Sequence, residues 1–369
     1  MKIIVSGGGT GGHIYPAISI IEELKKRDEN NQILYIGTKE GLESEIVPKL
    51  NIDFKSISVK GLPRKINKQS FIAMKELFKG LSQAKKIIKD FNPDVIIGTG
   101  GFVSGPVLYR GTKTDAYTAF HEQNSFPGLT NRILSRYVDE YFVTFKESIK
   151  YFKNPEKAIV TGNPIRNRFN NIDEKKEEAY KYFNLDKNKK VIFSFGGSNG
   201  AKSINENMKY FIENLSEDSN LQVIHVTGKR FYESFIKDIG ENANKENVKI
   251  YPYMEQMQLA YAITDLIITS SGAITLAEIS FLGLPSILIP KAYTTENHQE
   301  HNAIVYKNEG AAEVLLEKDI TGKLLYDMIH DIVDNPEKME EMSKASLKLA
   351  APNAAKDIVD KIYDSIESK

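Results

Sequence analysis

Hydrophobic residues fall into short unbroken runs, each followed by a glycine-rich or small-residue turn and then by apolar positions at helical spacing. Lys2-Ile3-Ile4-Val5 leads into Gly7-Gly8-Gly9-Thr10-Gly11-Gly12-His13, after which Ile14, Ala17, Ile18, Ile21 and Leu24 recur with a helical period. Asp94-Val95-Ile96-Ile97 leads into Gly98–Pro106, and Val191–Phe195 into Gly196-Gly197-Ser198-Asn199-Gly200-Ala201. Leu266-Ile267-Ile268 leads into Ser270-Ser271-Gly272, ahead of Leu276, Ala277, Ile279 and Phe281. An apolar run of this length fits a strand buried on both faces, and such strands belong to parallel sheets separated by helices. Two units precede residue 162 and two follow it. The pattern predicts an α/β protein with two doubly wound parallel-sheet halves, each setting its turns at the carboxyl ends of strands, where ligands of such folds bind.

The fourth unit carries the most chemistry. The helix that this turn opens presents backbone N–H groups with no internal partner, a natural seat for phosphate. Thr275 and Glu278 stand three apart on its first turn. A carboxylate there suits a ribose, whose hydroxyls donate to it; the same pair spells a capping box that needs no ligand, and spacing leaves both readings open.

Other motifs narrow the chemistry. Gly7, Gly9 and Gly12 satisfy the dinucleotide fingerprint, but Gln32–Ile36 runs into Gly37-Thr38-Lys39 without the expected acidic residue, which counts against nicotinamide or flavin. Gly196–Ser203 approaches a Walker loop, yet Ala201 stands where the final glycine is required. His298 and His301 lie near Glu296 with no third ligand set by spacing, and a hydroxyl-rich ligand wants the same Gln, Asn and His mixture, so a metal is not expected.

With 369 residues the chain exceeds one comfortable core, and 41% hydrophobic with 27% charged residues describes an ordinary globular composition. It has no cysteine, which excludes disulfides and thiolate metal sites and suits a reducing compartment. Met1 runs directly into a strand, so no signal peptide is expected, and Glu278 interrupts the longest apolar stretch, so no membrane span is expected. The net charge of zero hides an asymmetry: residues 1–162 hold 24 Lys and Arg against 17 Asp and Glu, and the remainder 25 against 32.

The basic excess concentrates in residues 63–90. Phe71, Ile72, Met74, Leu77, Phe78 and Leu81 recur at helix-like spacing among Arg64, Lys65, Lys68, Lys75, Lys79, Lys85, Lys86 and Lys89. Such a stretch is either a solvated helix with a core stripe or the face that meets an anionic membrane surface; the one-sided charge favours the membrane. It lacks the motif or interleaved aromatics of nucleic-acid binding, so no nucleic acid is expected. His121-Glu122-Gln123-Asn124 is costly to bury and is expected to face a cleft. Gly162-Asn163-Pro164-Ile165-Arg166 reads as the linker between halves, and residues 321–369 as helical, divided by Pro336 and Pro352.

Taken together, residues 8–13, 121–124, 162–166, 196–201, 271–278 and 298–303 resemble, in order and over nearly the whole chain, the MurG family of bacterial peptidoglycan glycosyltransferases. The resemblance implies a GT-B glycosyltransferase, two Rossmann-like doubly wound parallel-sheet domains facing across a cleft. Residues 1–162 would form the acceptor- and membrane-binding domain and 163–352 the UDP-sugar-binding domain, with a C-terminal helix in 353–369 packing back on the first. The implied reaction is inverting transfer of N-acetylglucosamine from UDP-N-acetylglucosamine to the muramyl 4-hydroxyl of undecaprenyl-linked lipid I, giving lipid II. Its expected location is the cytoplasmic face of the cell membrane, as a peripheral protein.

By similarity, Glu278 holds the ribose, Ala273, Ile274 and Thr275 seat the diphosphate with help from Ser198 and Arg166, and Met254 borders the uracil. Gln299 binds sugar hydroxyls, and Thr10, Gly11, Gly12 and Asn124 close on donor and acceptor. His298 stands where some members carry a second Gln. His13 is the candidate base, with Glu122 in reserve, since an imidazole titrates near neutral pH. No cofactor is implied, and no Asp-x-Asp occurs in the chain, which favours transfer without a metal. A related transferase acting on diacylglycerol and a UDP-N-acetylglucosamine epimerase are the alternatives.

Overall fold

The computed structural model describes residues 1–61, 68–165, 169, 171–197 and 199–368. It divides into two compact units, Met1–Arg166 together with Ala351–Lys369, and Asn167–Ala350.

The first unit runs through β1 (Lys2–Gly7), α1 (Gly11–Arg27), β2 (Gln32–Gly37), α2 (Glu43–Ile46), β3 (Asp53–Ser56) and α3 (Lys68–Phe91). It continues with β4 (Val95–Gly100), α4 (Ser104–Gly111), β5 (Tyr117–Glu122), α5 (Leu129–Leu134), β6 (Glu140–Val143) and β7 (Ala158–Val160). All seven strands are parallel, in the order β3-β2-β1-β4-β5-β6-β7. Side chains alternate across the sheet. Ile3, Val5, Ile33, Tyr35, Val95 and Ile97 pack with α1 on one face, and Ile4, Leu34, Ile36, Ile96 and Phe120 pack with α3 and α4 on the other.

The second unit contains α6 (Lys176–Phe183), β8 (Lys190–Phe195), α7 (Lys202–Asn214), β9 (Leu221–Val226), α8 (Tyr232–Ile239), β10 (Val248–Tyr251) and α9 (Met257–Ala262). After these come β11 (Leu266–Thr269), α10 (Ala273–Leu282), β12 (Ser286–Leu288), α11 (His298–Asn308), β13 (Ala312–Val314), α12 (Gly322–Val333) and α13 (Pro336–Lys348). Its six parallel strands are ordered β10-β9-β8-β11-β12-β13. Pro336 opens α13, where its missing N–H costs nothing, and Asn335 caps the same end by accepting Lys338 N–H at 3.1 Å. The last helix, α14 (Ala354–Glu367), returns to the first unit and packs on α1, where Arg27 pairs with Asp360 at 2.9 Å and Asn31 donates to the Tyr363 hydroxyl at 2.9 Å.

Strand order reverses between β1 and β4 in the first unit and between β8 and β11 in the second. The four turns found in the sequence are the four that leave these strands, so each pair meets at a switch point.

Of the two readings of α3, the core stripe is excluded: Ala73, Gly80, Ala84 and Ile88 face inward, while Phe71 is 76% and Phe78 66% exposed. At Gly80 the helix lies too close for any side chain, since a Cβ there would sit 2.3 Å from Ser58 O. His121, Glu122 and Gln123 are buried instead of facing a cleft. Gly162, Asn163 and Pro164 are likewise buried in the first unit; Gly162 has φ +79° and lies so close to Ala351 that no side chain fits.

Candidate functional site

At the first switch point the backbone of β1 and β4 sets the geometry. Gly8 N–H donates to Gly100 O at 3.3 Å, and the Ser104 hydroxyl donates to Ser6 O at 2.8 Å. Thr99 Oγ1 donates to His13 O at 2.7 Å, fixing the start of α1 against β4. The His13 ring lies beside Gly8, its Nδ1 3.0 Å from Gly8 O. A carbonyl only accepts, so that contact places the ring proton on Nδ1 and leaves the lone pair on Nε2. Gly100, at φ +107°, makes room for this ring: a Cβ there would lie 2.7 Å from His13 Cδ2 and 3.1 Å from Nε2.

Glu43 was not anticipated. Its buried carboxylate accepts from Gly9 N–H at 3.1 Å and from the N–H and hydroxyl of Thr38 at 2.9 and 2.7 Å. An internal carboxylate thus occupies the Gly9 N–H, a donor of the first glycine turn. Thr10, Gly11 and Gly12 follow at the opening of α1, with Thr10 exposed.

The His121–Asn124 segment is held by its own network. Glu122 accepts four N–H bonds: Asn124 N and Nδ2 on Oε1 at 3.0 and 3.2 Å, and Gly128 N and Asn131 Nδ2 on Oε2 at 3.2 and 2.9 Å. Burial pushes its carboxyl above the usual value, while these donors oppose the shift. His121 Nε2 donates to Gly162 O at 2.9 Å, and burial pushes its pKa down to about 4, so it is neutral. Gln123 Nε2 donates to Thr99 O at 2.8 Å, linking this network through Thr99 to His13. Asn124 alone of the four is half-buried.

In the second unit α10 opens on Gly272, whose φ of −68° and ψ of 137° lie outside the helix, and no side chain caps it. Its first helical bond is Leu276 N–H to Gly272 O at 3.0 Å. The N–H groups of Ala273, Ile274 and Thr275 therefore have no helical acceptor, and all three residues are half-buried at the carboxyl end of β11. The capping-box reading fails: Thr275 lies inside the helix, and the buried Glu278 accepts from the Tyr261 hydroxyl at 2.9 Å.

Tyr261, on α9, is itself buried and edge-on to Phe193 and Phe169, with ring centroids 5.7 and 5.5 Å away. Gln299, in the first turn of α11, accepts from Lys291 N–H at 3.0 Å through Oε1, and its backbone carbonyl takes the Ser271 hydroxyl at 2.7 Å. The bond from Lys291 fixes the amide orientation, so Nε2 is the atom left to donate. Glu296 and Asn297, just before α11, both adopt left-handed backbone, with φ of 53° and 54°. Met254, after β10, is buried.

The structure thus gathers Thr10, Gly11, Gly12, His13, Glu122 and Asn124 in the first unit, and Met254, Ala273, Ile274, Thr275, Glu278 and Gln299 in the second. Arg166 and Ser198 lie outside the described residues. Among the described residues no group of three or more His, Cys, Asp or Glu is arranged to hold a metal ion. Sequence reasoning missed Tyr261 and Lys291. Tyr261 reads as core among apolar neighbours; Lys291 carried a usable signal, a cation just beyond a strand of the second sheet.

Two parallel sheets of Rossmann-like type, each with helix openings at its switch point, define a two-domain nucleotide-binding class of α/β architecture. The N-terminal domain model of glycosyltransferase family 28 matches residues 3–143 and the C-terminal domain model residues 191–361. The chain belongs to glycosyltransferase family 28. It is 60% identical over 367 residues to the UDP-N-acetylglucosamine:N-acetylmuramyl-(pentapeptide) pyrophosphoryl-undecaprenol N-acetylglucosamine transferase of Finegoldia magna, spanning 100% of this chain and 99% of that one. The crystal structure of Acinetobacter baumannii MurG superposes with a TM-score of 0.79 at 25% identity, covering 98% of this chain and 99% of that one. A UDP-N-acetylglucosamine 2-epimerase from Neisseria meningitidis matches with a TM-score of 0.71 at 16% identity, over 99% of this chain and 100% of that one, a likeness of fold alone.

Proposed function

We propose that this chain transfers N-acetylglucosamine from UDP-N-acetylglucosamine to the 4-hydroxyl of the muramyl sugar of undecaprenyl-linked lipid I, giving lipid II with inversion at the transferred carbon. The observation that carries the donor half is the start of α10, where three N–H groups without helical acceptors stand on the helix that bears the buried Glu278 carboxylate. That pairing suits the diphosphate and ribose of a uridine nucleotide. Identity of 60% to the Finegoldia magna transferase over the whole chain supports the acceptor.

In this reading His13 Nε2 takes the proton of the attacking hydroxyl as its oxygen bonds to the sugar carbon. The bond from that carbon to the diphosphate oxygen breaks, and UDP departs with the electron pair, its new charge met by the opening of α10. Glu122 is the weaker base candidate, because both its oxygens already accept two N–H bonds each; its part is to hold Asn124 in place. Gln299 Nε2 donates to the sugar, and Thr10, Gly11 and Gly12 serve the acceptor side. The first unit is the acceptor domain and the second the donor domain.

The protein works as a peripheral protein at the cytoplasmic face of the membrane. Phe71, Ile72, Met74 and Phe78 are exposed on α3 among Lys75, Lys79, Lys85 and Lys86, a combination that favours an anionic lipid surface. Among the described residues no helix is long and apolar enough to cross a membrane.

Purified protein mixed with UDP-N-acetylglucosamine and a lipid I analogue, without added divalent metal, should release UDP and form the disaccharide product. Donor consumption without acceptor would favour an epimerase, and product formed on diacylglycerol in preference to lipid I would favour the other transferase. UDP release no greater than in a His13→Ala control would reject the proposed mechanism.

A further inference from the structure

The first glycine turn of the donor unit faces a cation that no motif announces. Lys291 lies just past β12, the strand beside β11, and its ammonium donates to Gly200 O at 3.0 Å. A Cβ added to Gly197 would sit 4.0 Å from Lys291 Nζ and 3.8 Å from Ser270 Oγ. Both turns of the second switch point therefore converge on this one ammonium, with Gly197 supplying the open space between them. The Lys291 backbone also orients Gln299, whose carbonyl holds Ser271 just before α10.

The ammonium has the marks of a charge awaiting an anion. It can donate three hydrogen bonds, and Gly200 O takes one; among the described residues no carboxylate lies within ion-pair distance. The nearby acid, Glu317, spends its oxygens on the Ser203 hydroxyl and Ala292 N–H. Burial pushes the Lys291 pKa down from the ordinary lysine value, and Glu317 only partly opposes this. A half-buried cation without a paired anion is costly unless a ligand brings the charge.

We infer that Lys291 binds the diphosphate of the nucleotide and stabilises UDP as it leaves. This rests on the reading of the second unit as the donor domain. When the bond between sugar carbon and diphosphate oxygen breaks, the electron pair stays on the oxygen. Lys291 remains protonated throughout and meets the growing charge from the side of the Gly196–Gly200 turn, while the α10 N–H groups meet it from the other turn.

The test compares UDP with uridine on the full-length protein by calorimetry. Lys291→Met should weaken UDP binding by about tenfold to a hundredfold, the range for a lost charge-assisted hydrogen bond, and leave uridine affinity within twofold. Lys291→Arg should recover most of the loss. UDP affinity within threefold of wild type in a Lys291→Met protein that still binds uridine overturns the inference. A wild-type protein that binds UDP no tighter than uridine instead overturns the donor reading itself. Should the Met variant not fold, wild type with 13C-methylated lysines decides: the Lys291 resonance, assigned through Lys291→Arg, must shift with UDP and not with uridine, and its failure to move with UDP overturns the inference.

Discussion

Mild acid should destabilise both units through two histidines buried in their sheets. His121 on β5 and His225 on β9 are both 0% exposed, and burial holds their folded pKa values near 4 and 3 against an ordinary value of 6.5. His225 has little to offset a charge: its Nδ1 shares a 2.7 Å hydrogen bond with Ser194 Oγ, its Nε2 has no partner, and Phe235 packs against the ring at 4.9 Å. Because the folded values lie below the unfolded one, the stabilisation is fully present above about pH 6.5. It is lost as the pH falls through 6.5 towards the folded values, since the unfolded chain takes up protons that the folded chain refuses. At pH 5 the unfolded imidazoles are almost all charged, so each histidine costs about 2 kcal/mol relative to pH 7.5, or about 4 together. Each unit thus loses about 2 kcal/mol of the roughly 5–15 kcal/mol that typically holds a domain.

Urea unfolding followed by far-UV circular dichroism at pH 7.5 and 5.0 measures the loss, unit by unit where two transitions separate. His225→Gln should shrink the pH dependence of the second unit's transition by about 2 kcal/mol and leave that of the first unit unchanged. The reasoning is refuted if the variant keeps the full dependence, or if NMR shows the His225 ring of the folded protein titrating near 6.5.

Other perturbations separate the roles of single residues. Gly100→Ala brings a methyl group within 2.7 Å of His13 Cδ2; kcat should fall by about a hundredfold, the scale of a displaced general base, with UDP affinity unchanged, and an unaltered kcat would count against His13. Tyr261→Phe removes the hydroxyl that donates to Glu278 at 2.9 Å; the KM for the UDP-sugar should rise about tenfold, and the preference for UDP over 2′-deoxy-UDP as inhibitor should narrow, whereas a purely structural Tyr261 would lower the melting temperature and leave that preference intact. Replacing both Phe71 and Phe78 with Asp should lower affinity for phosphatidylglycerol vesicles more than about tenfold, since each exposed ring can bury roughly 2 kcal/mol of apolar surface, with no loss of melting temperature. Binding that survives this change would exclude α3 as the membrane face.

Much of the architecture was legible because it rests on local patterns. A run such as Ile3-Ile4-Val5 followed by glycines and a helical period predicts strand, turn and helix from periodicity alone, and β1 with α1, β4 with α4, β8 with α7 and β11 with α10 follow that pattern. The family was legible as well, because six motifs in one order resemble it. Periodicity did not determine which face of α3 is buried: Ala73, Gly80 and Ala84 face inward while Phe71 and Phe78 are exposed, and at Gly80 the Ser58 carbonyl leaves no room for a side chain.

What the chain determines by itself is therefore the sequence of elements and the chemical types gathered at their ends. What only the tertiary structure decided is which of those groups meet. Strand order, set by packing between residues far apart in the chain, puts β1 beside β4 and β8 beside β11. It brings Tyr261 to Glu278, Glu43 to Gly9, and Lys291 to the Gly196–Gly200 turn. Those encounters span 17, 34 and 91 residues of sequence. No local spacing rule reaches so far, because the contacts exist only once both sheets have formed and their helices have buried the apolar faces.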